Sequence, residues 1–334
     1  RDRRALLRLV ADGTLVVGAL EQIGPHGIPK GGAVVFAAGD DGWEQIATLR
    51  DDRASEDGPG AFGRAVALDG DTVIVGAPWA EDGDETPGAT YVSLGAGAGD
   101  GTPDGSVGTD RSAGEWTETA RLVPDGAGDG ADAGGGRLDG DTAVVGAPGG
   151  DSAGAGFVFV RAGDEWRQRT TLTPAVGHGR DDEDYVGSSV ALDGTTALLG
   201  AWGDDDPTGF YGGAAYAFER VDGDWIPETR LAASDGDRTD VFGSDVALWG
   251  DRALVGAEHD EDPNGEDAGV SDLFGRDEAG EWRQTAKLVP ADADPTDLFG
   301  TSVALSGRRG FVGAIYGETE DGNTDAGSVS VFSV

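Results

Sequence analysis

The sequence predicts an all-β protein, a β-propeller of four-stranded antiparallel blades with six repeats visible. Three observations carry this. The phrase V-G-A, or its variant L-G-A, recurs six times, with its glycines at Gly18, Gly76, Gly146, Gly200, Gly256 and Gly313. A Trp stands six residues before a Leu in five copies: Trp43/Leu49, Trp116/Leu122, Trp166/Leu172, Trp225/Leu231 and Trp282/Leu288. Asp-Gly pairs such as Asp69-Gly70 and Asp193-Gly194 separate short apolar runs, a strong hairpin signal. Short strands under a long, even period mark a propeller.

The V-G-A glycines are spaced by 58, 70, 54, 56 and 57 residues. A Gly/Asp/Ser-rich insertion over 95–113 explains the long interval. One propeller domain over 1–334 is expected, with repeats at approximately 4–58, 59–128, 129–183, 184–239, 240–296 and 297–334. In each repeat the first strand is expected to start at an F-G pair (Phe62-Gly63, Phe242-Gly243, Phe299-Gly300, with Val186-Gly187 as a variant). The second strand, as in Val73-Ile74-Val75, is almost continuously apolar and reads as buried on both faces. The third opens on Gly and reaches Phe five residues later, from Gly31/Phe36 to Gly327/Phe332; in the second repeat Ser93 takes the Phe position. The fourth carries the Trp/Leu pair, whose even separation places both on one strand face. Its Trp reads as a packing anchor between blades. The third repeat has a decayed first strand at 132–138, expected to be the least stable blade edge. The last repeat ends after its third strand. At least one strand, or a whole further blade, is therefore expected upstream of Arg1, for a six- or seven-bladed ring; the alternative is six blades, one of them three-stranded.

Phe-Gly, then V-A-L, then V-G-A-P (Val75-Gly76-Ala77-Pro78, Val145-Gly146-Ala147-Pro148) resembles the FG-GAP repeat of integrin α-chain propellers. The Gly-to-Phe and Trp strands are similar to the bacterial and archaeal variety. The resemblance implies extracellular or cell-surface placement and protein or glycan binding. It also implies calcium loops between the first two strands. That connection is cut here to Leu68-Asp69-Gly70-Asp71-Thr72 and its equivalents, too short to wrap a cation with six to eight oxygens.

Acid-rich segments lie instead between strands two and three. In the best, Asp260, Asp262, Asn264 and Gly265 match the start of a D-x-D-x-N-G calcium loop, with Asp267 beside them; Ser271 stands where a bidentate Glu belongs. Two readings stand: a calcium site on Asp260, Asp262, Asn264 and Asp267, or a solvated turn of the residues turns ordinarily use. Segments 82–85, 204–209 and 318–325 are weaker echoes. Trp79 and Trp202 follow strand two beside carboxylates, and Trp249 replaces a turn Asp. Each is a candidate ligand contact, by stacking on a sugar, or a cap on the blade end.

The formal net charge of −39, from 63 acidic and 24 basic residues, runs along the whole chain. Ordered apolar runs argue against disorder, so the acid predicts adaptation to concentrated salt, where the Debye length falls to about 3 Å. Such a surface repels nucleic acid. No apolar stretch is long enough for a membrane helix. Cysteine and methionine are absent, so thiolate chemistry is excluded and Arg1 reads as a processed or truncated end. The histidines, His26, His178 and His259, lie in three repeats without metal spacing. No nucleophile elbow or phosphate loop is present. These readings favour a non-catalytic binding or adhesion propeller acting through rim loops. The alternatives are a carbohydrate-active enzyme, which needs two converging carboxylates, one with a raised pKa, and a structural module of a larger surface protein.

Overall fold

The computed structural model describes residues 5–10, 13–19, 31–39, 42–51, 60–83, 85–95, 116–149, 153–175, 183–205, 209–261, 263, 265–290, 294–317 and 327–334. They form six antiparallel sheets, five of four strands and one of three. Blade one holds β1 (Ala5–Val10), β2 (Thr14–Ala19), β3 (Gly32–Gly39) and β4 (Gly42–Leu49). Blade two holds β5 (Ala65–Asp69), β6 (Thr72–Ala77), β7 (Ala89–Gly95) and β8 (Trp116–Leu122); blade three, β9 (Gly135–Asp139), β10 (Thr142–Ala147), β11 (Ala155–Ala162) and β12 (Glu165–Leu172). Blade four is β13 (Val190–Asp193), β14 (Thr196–Ala201), β15 (Ala214–Val221) and β16 (Asp224–Leu231); blade five, β17 (Val246–Trp249), β18 (Arg252–Ala257), β19 (Val270–Arg276) and β20 (Trp282–Leu288). Blade six has β21 (Phe299–Ser306), β22 (Arg309–Ala314) and β23 (Ser328–Ser333). In every sheet the strands lie in chain order, the meander of a propeller blade.

The chain divides into two compact units, Arg1–Asp151 with Val158–Arg169, and Ser152–Phe157 with Thr170–Val334. In the first, Val16, Val35, Leu49, Phe62, Val75 and Tyr91 belong to one buried cluster. The second contains two clusters, one around Leu198, Phe242 and Phe274, the other around Leu254, Phe299 and Val312. The second strands carry these cores. All six residues of β10 and of β14 are buried, as a run apolar on both faces requires.

The F-G pairs correct the expected strand start. In blades two and five the first strand begins three residues or more after Phe62 and Phe242. These phenylalanines instead make isolated parallel bridges to Gly31 and Gly213, the residues that open strand three of the preceding blade. Only Phe299 lies within its strand. In the decayed third repeat Ala133 makes the same bridge, to Gly88, and β9 forms behind it. The residue before each pair is left-handed without being glycine: φ is 52° at Ala61, 55° at Asp132, 56° at Tyr185, 52° at Val241 and 54° at Leu298. For a β-branched Val this backbone costs about 1–2 kcal/mol, so the junction is held by what surrounds it.

The Trp/Leu pairs require a second correction. Trp225 lies opposite Arg220 and Leu231 opposite Ala215, so six residues of β16 span five of β15. The register shifts between Ala217 and Phe218, leaving Glu228 as the extra residue of a bulge. β4, β8 and β20 shift in the same way. The bulge sends Trp and Leu to opposite faces. Trp282 accordingly packs on the cluster that holds Leu231 of blade four, while Leu288 packs on the cluster of blade six. The indole N–H of Trp282 donates to Glu228 at 3.1 Å, which makes it an anchor between blades.

Candidate functional site

In each blade the connection after strand two leaves one end of the sheet, and the hairpin between strands one and two leaves the other. Blade ends of the first kind carry most of the candidate residues. Their acids are built into a recurring arrangement with strands three and four. Directly opposite one another lie Tyr91 and Arg121 in blade two, Tyr216 and Arg230 in blade four, and Asp272 and Lys287 in blade five. The cationic member reaches an acid of the strand two–three connection in all three. Arg121 pairs with Asp82 at 3.3 Å, Arg230 with Asp204 at 2.8 Å and Lys287 with Asp260 at 2.9 Å. The hydroxyl of Tyr216 also donates to Asp204.

This arrangement gives Asp260 a role that its loop sequence does not reveal. It is buried and serves as counter-ion to Lys287, which also holds Asp235 at 2.9 Å. Asp267 pairs with His259 Nδ1 at 2.8 Å. Asp262 and Asn264 lie outside the described residues. Among the described residues no group of three or more acids and histidines is placed to hold a metal ion. The two described members of the proposed calcium set are thus engaged by separate side chains, Asp260 by Lys287 and Asp267 by His259.

Blade five departs from the pattern by placing a carboxylate where blades two and four have tyrosine. Asp272 is fully buried; Gln284 Nε2 donates to its Oδ1 at 2.5 Å, and its Oδ2 has no hydrogen-bond partner. Burial, opposed by Lys287 and reinforced by Asp235 and Asp260, pushes the Asp272 carboxyl up to about 7. Burial likewise pushes Asp240 up to about 6, although the Asp237 backbone N–H donates to it. Burial opposes the charge on Lys287, but its bonds to Asp235 and Asp260 hold it above the usual lysine range. Asp272 and Asp240 are both enclosed, 0 % and 4 % exposed.

The three tryptophans have three environments. Trp79 is 52 % exposed, and its side chain hydrogen-bonds Asp132, whose carboxyl is raised chiefly by burial. Trp202 is enclosed by rings: Tyr185 stacks on it at 4.3 Å and 7°, and Tyr211 meets it edge-on at 5.3 Å. Phe210 lies on Tyr211 at 3.8 Å and is 49 % exposed. Trp202 is therefore the base of an aromatic cluster whose outer ring is Phe210. Sequence reasoning missed Tyr185, Phe210 and Tyr211; the signal was two aromatics in the same connection as Trp202 and one before Val186-Gly187. Trp249, 49 % exposed, ends β17 at the opposite end of its blade from the strand two–three connection. The structure does not bring it to the Trp202 cluster.

Comparison with known proteins adds the following. The family model described as FG-GAP repeat matches residues 43–93, 166–218, 225–276 and 282–332, more than half of the chain. Comparison with the curated proteins finds no match. Among solved structures 262 chains match, so the fold is widely shared and does not by itself select a function. One of these, a chain in "Crystal Structure of Mitotic Checkpoint Complex", aligns over 98 % of this chain and 73 % of its own length, with a TM-score of 0.54 and 11 % identity. Likeness at that identity concerns the fold alone.

Proposed function

The chain belongs to the FG-GAP repeat family, and on that premise we propose that it is a non-catalytic binding module that recognises a protein or glycan through the connections between strands two and three. The observation that carries the reading is the cluster Tyr185–Trp202–Tyr211–Phe210. Three rings packed on one another hold a fourth, half-exposed ring in a fixed position. Rigid aromatic anchors of this kind contribute disproportionately to recognition, because little side-chain entropy is lost on binding. Trp79, exposed beside Asp132 at the same end of its own blade, is a second contact of the same type.

The two carboxyls raised furthest, Asp272 and Asp240, support binding rather than hydrolysis, since both are enclosed, whereas the raised Asp132 lies at the surface beside Trp79. Acid–base work on a glycosidic bond needs such a group within reach of the substrate. The chain has no cysteine to act as a nucleophile. The net charge of −39 opposes nucleic acid as a partner. Among the described residues no helix is long and apolar enough to cross a membrane. Placement at or outside the cell surface follows the family resemblance.

The test is a glycan array together with a panel of cell-surface proteins, probed in molar salt with wild type and Phe210→Ala. Wild type is expected to retain at least one ligand, and the variant to lose it by tenfold or more. No ligand, or equal retention by both, would overturn the reading.

A further inference from the structure

Among the described residues blade six is the one sheet with three strands. In each of the other five a Trp strand lies outside strand three; in blade six no strand pairs with the outer side of β23. Side chains along that edge are open where their counterparts are covered. Val329 and Val331 are 68 % and 58 % exposed. Ala215 and Ala217 of blade four and Ser271 and Leu273 of blade five, at the same distances from the strand-opening glycine, are buried. On the face toward blade five, Phe332 and Leu288 are only partly buried, whereas Phe218, Phe274, Leu172 and Leu231 are buried.

We propose that β23 is a docking edge that takes one strand from a partner protein, an extended segment with Trp six residues before Leu. The edge lacks the usual guards against strand addition, which are Lys, Pro or a bulge. β23 has no charged residue and no Pro, and its register with β22 is unbroken. In a chain of 63 acids, none stands in 298–317 or 327–334, where the charges are Arg308 and Arg309. The acids of this repeat are Asp297 before those segments and Glu318, Glu320, Asp321 and Asp325 between them. The neighbouring blade shows what fits. β20 sets Trp282 opposite Arg276, Ala286 opposite Leu273 and Leu288 opposite Ser271. The same register on β23 sets an incoming Trp opposite Val334 and its Leu opposite Val329. The Trp then covers Phe332 and Leu288, as Trp282 packs on the cluster of Phe274 and Leu231. Main-chain bonds give such an addition its affinity, and alternate side chains its specificity. A second copy does not supply the strand, because each of its five Trp strands is already paired within a blade.

The edge is separate from the Phe210 cluster of blade four, and either can fail without the other. The experiment is fluorescence anisotropy in molar salt with a labelled synthetic peptide, capped at both ends, that has the sequence of residues 114–124. With Glu115 and Glu118 against Arg121 the peptide is itself acidic, so attraction to the acidic chain does not hold it. The control peptide carries Trp116→Ala. The protein variant is Val331→Pro. The Val334 N–H donates to the Arg308 carbonyl, so by alternation those of Phe332 and Ser330 face β22 and that of Val331 faces the open edge. Pro at 331 removes that outward donor and no bond of the β22–β23 ladder. Expected is saturable binding of the peptide to wild type, weakened at least about tenfold by Trp116→Ala in the peptide and by Val331→Pro in the protein. The control peptide carries the test should Val331→Pro fail to fold. Absence of binding to wild type, equal binding of the two peptides, or undiminished binding to a folded Val331→Pro overturns the proposal. A wild-type dimer that Val331→Pro disperses, with no peptide bound, would assign the edge to a second copy and overturn it as well.

Discussion

Gly200 of blade four faces the backbone of Gly243 in blade five so closely that a Cβ on Gly200 would lie 2.1 Å from the Gly243 carbonyl oxygen. The same carbonyl accepts the hydroxyl of Ser189 at 2.9 Å. Gly256 stands in the same relation to Gly300, at 2.0 Å, and Gly18 to Gly63, at 2.1 Å. The glycine of V-G-A and the glycine of F-G are therefore two halves of one backbone-to-backbone contact between successive blades.

Gly200→Ala is expected to destabilise the protein by on the order of 3 kcal/mol or more, because neither backbone is free to move aside. Gly135, also in a strand, has open space where a methyl group would stand, with no atom within 4 Å, and no left-handed φ. Gly135→Ala should stay within about 0.5 kcal/mol of wild type. Denaturant titration in molar salt measures both; equal effects would refute the contact's importance.

The turn aspartates also act between blades. The carboxylate of Asp69 accepts the Gly140 N–H at 2.7 Å, and that of Asp193 accepts the Gly250 N–H at 2.6 Å. In blade five the equivalent residue is Trp249, and Arg252 reaches the Gly307 carbonyl at 3.3 Å instead. Asp193→Ala is expected to lower stability by about 1–2 kcal/mol, the loss of a charge-assisted bond. Trp249→Asp should raise it by about 1 kcal/mol by restoring the carboxylate at this turn. A destabilised Trp249→Asp would argue that the indole has a packing role there.

Asp272 should make the protein less stable as pH rises from weakly acidic to weakly basic. Its carboxyl ionises near 4 when unfolded, and at about 7 when folded. Between those values the folded chain binds a proton that the unfolded chain has released, so stability falls through the window and stays low above it. Asp240, pushed up to about 6, adds in the same direction. Asp272→Asn keeps an acceptor for Gln284 and cannot ionise. It should raise stability at pH 8 by on the order of 3 kcal/mol more than it does at pH 5. Melting curves at the two pH values check this; a variant that keeps the wild-type pH slope would assign the titration elsewhere.

Salt should matter throughout the chain. With a net charge of −39, reducing the salt from molar to about 0.1 M lengthens the Debye length from about 3 to about 10 Å and restores self-repulsion. The melting temperature is expected to fall by on the order of 10 °C or more. A melting temperature independent of salt would remove the link between acid content and concentrated salt.

The blades were legible because their signals are local. Asp-Gly turns, the wholly apolar second strand and the Gly-to-Phe third strand each depend on a few adjacent residues, and β14 and β15 follow them closely. The face of the fourth strand was not legible. The residue inserted at Glu228 or Thr285 leaves no mark in the spacing of Trp and Leu, because a bulge is a property of two paired strands. The role of Asp260 was hidden for a related reason. A loop rich in Asp, Asn and Gly reads alike whether it faces a metal ion or a lysine, and Lys287 lies on another strand. Trp202 was legible as a candidate, but its stacking partner Tyr185 comes from a different connection.

The bulged fourth strand also bears on how such chains lengthen. Because Trp and Leu point to opposite faces, blade five presents one half of the joint on each side. Trp282 meets the blade before it, and Leu288 the blade after it. A tandem duplication of any such repeat would arrive with both halves already matched to its neighbours. A head-to-tail joint of this kind carries no instruction for when to stop. The number of copies is then left to the angle at which each joint turns, so gain or loss of a whole repeat is a smaller step for this sequence than insertion of one residue between Trp and Leu.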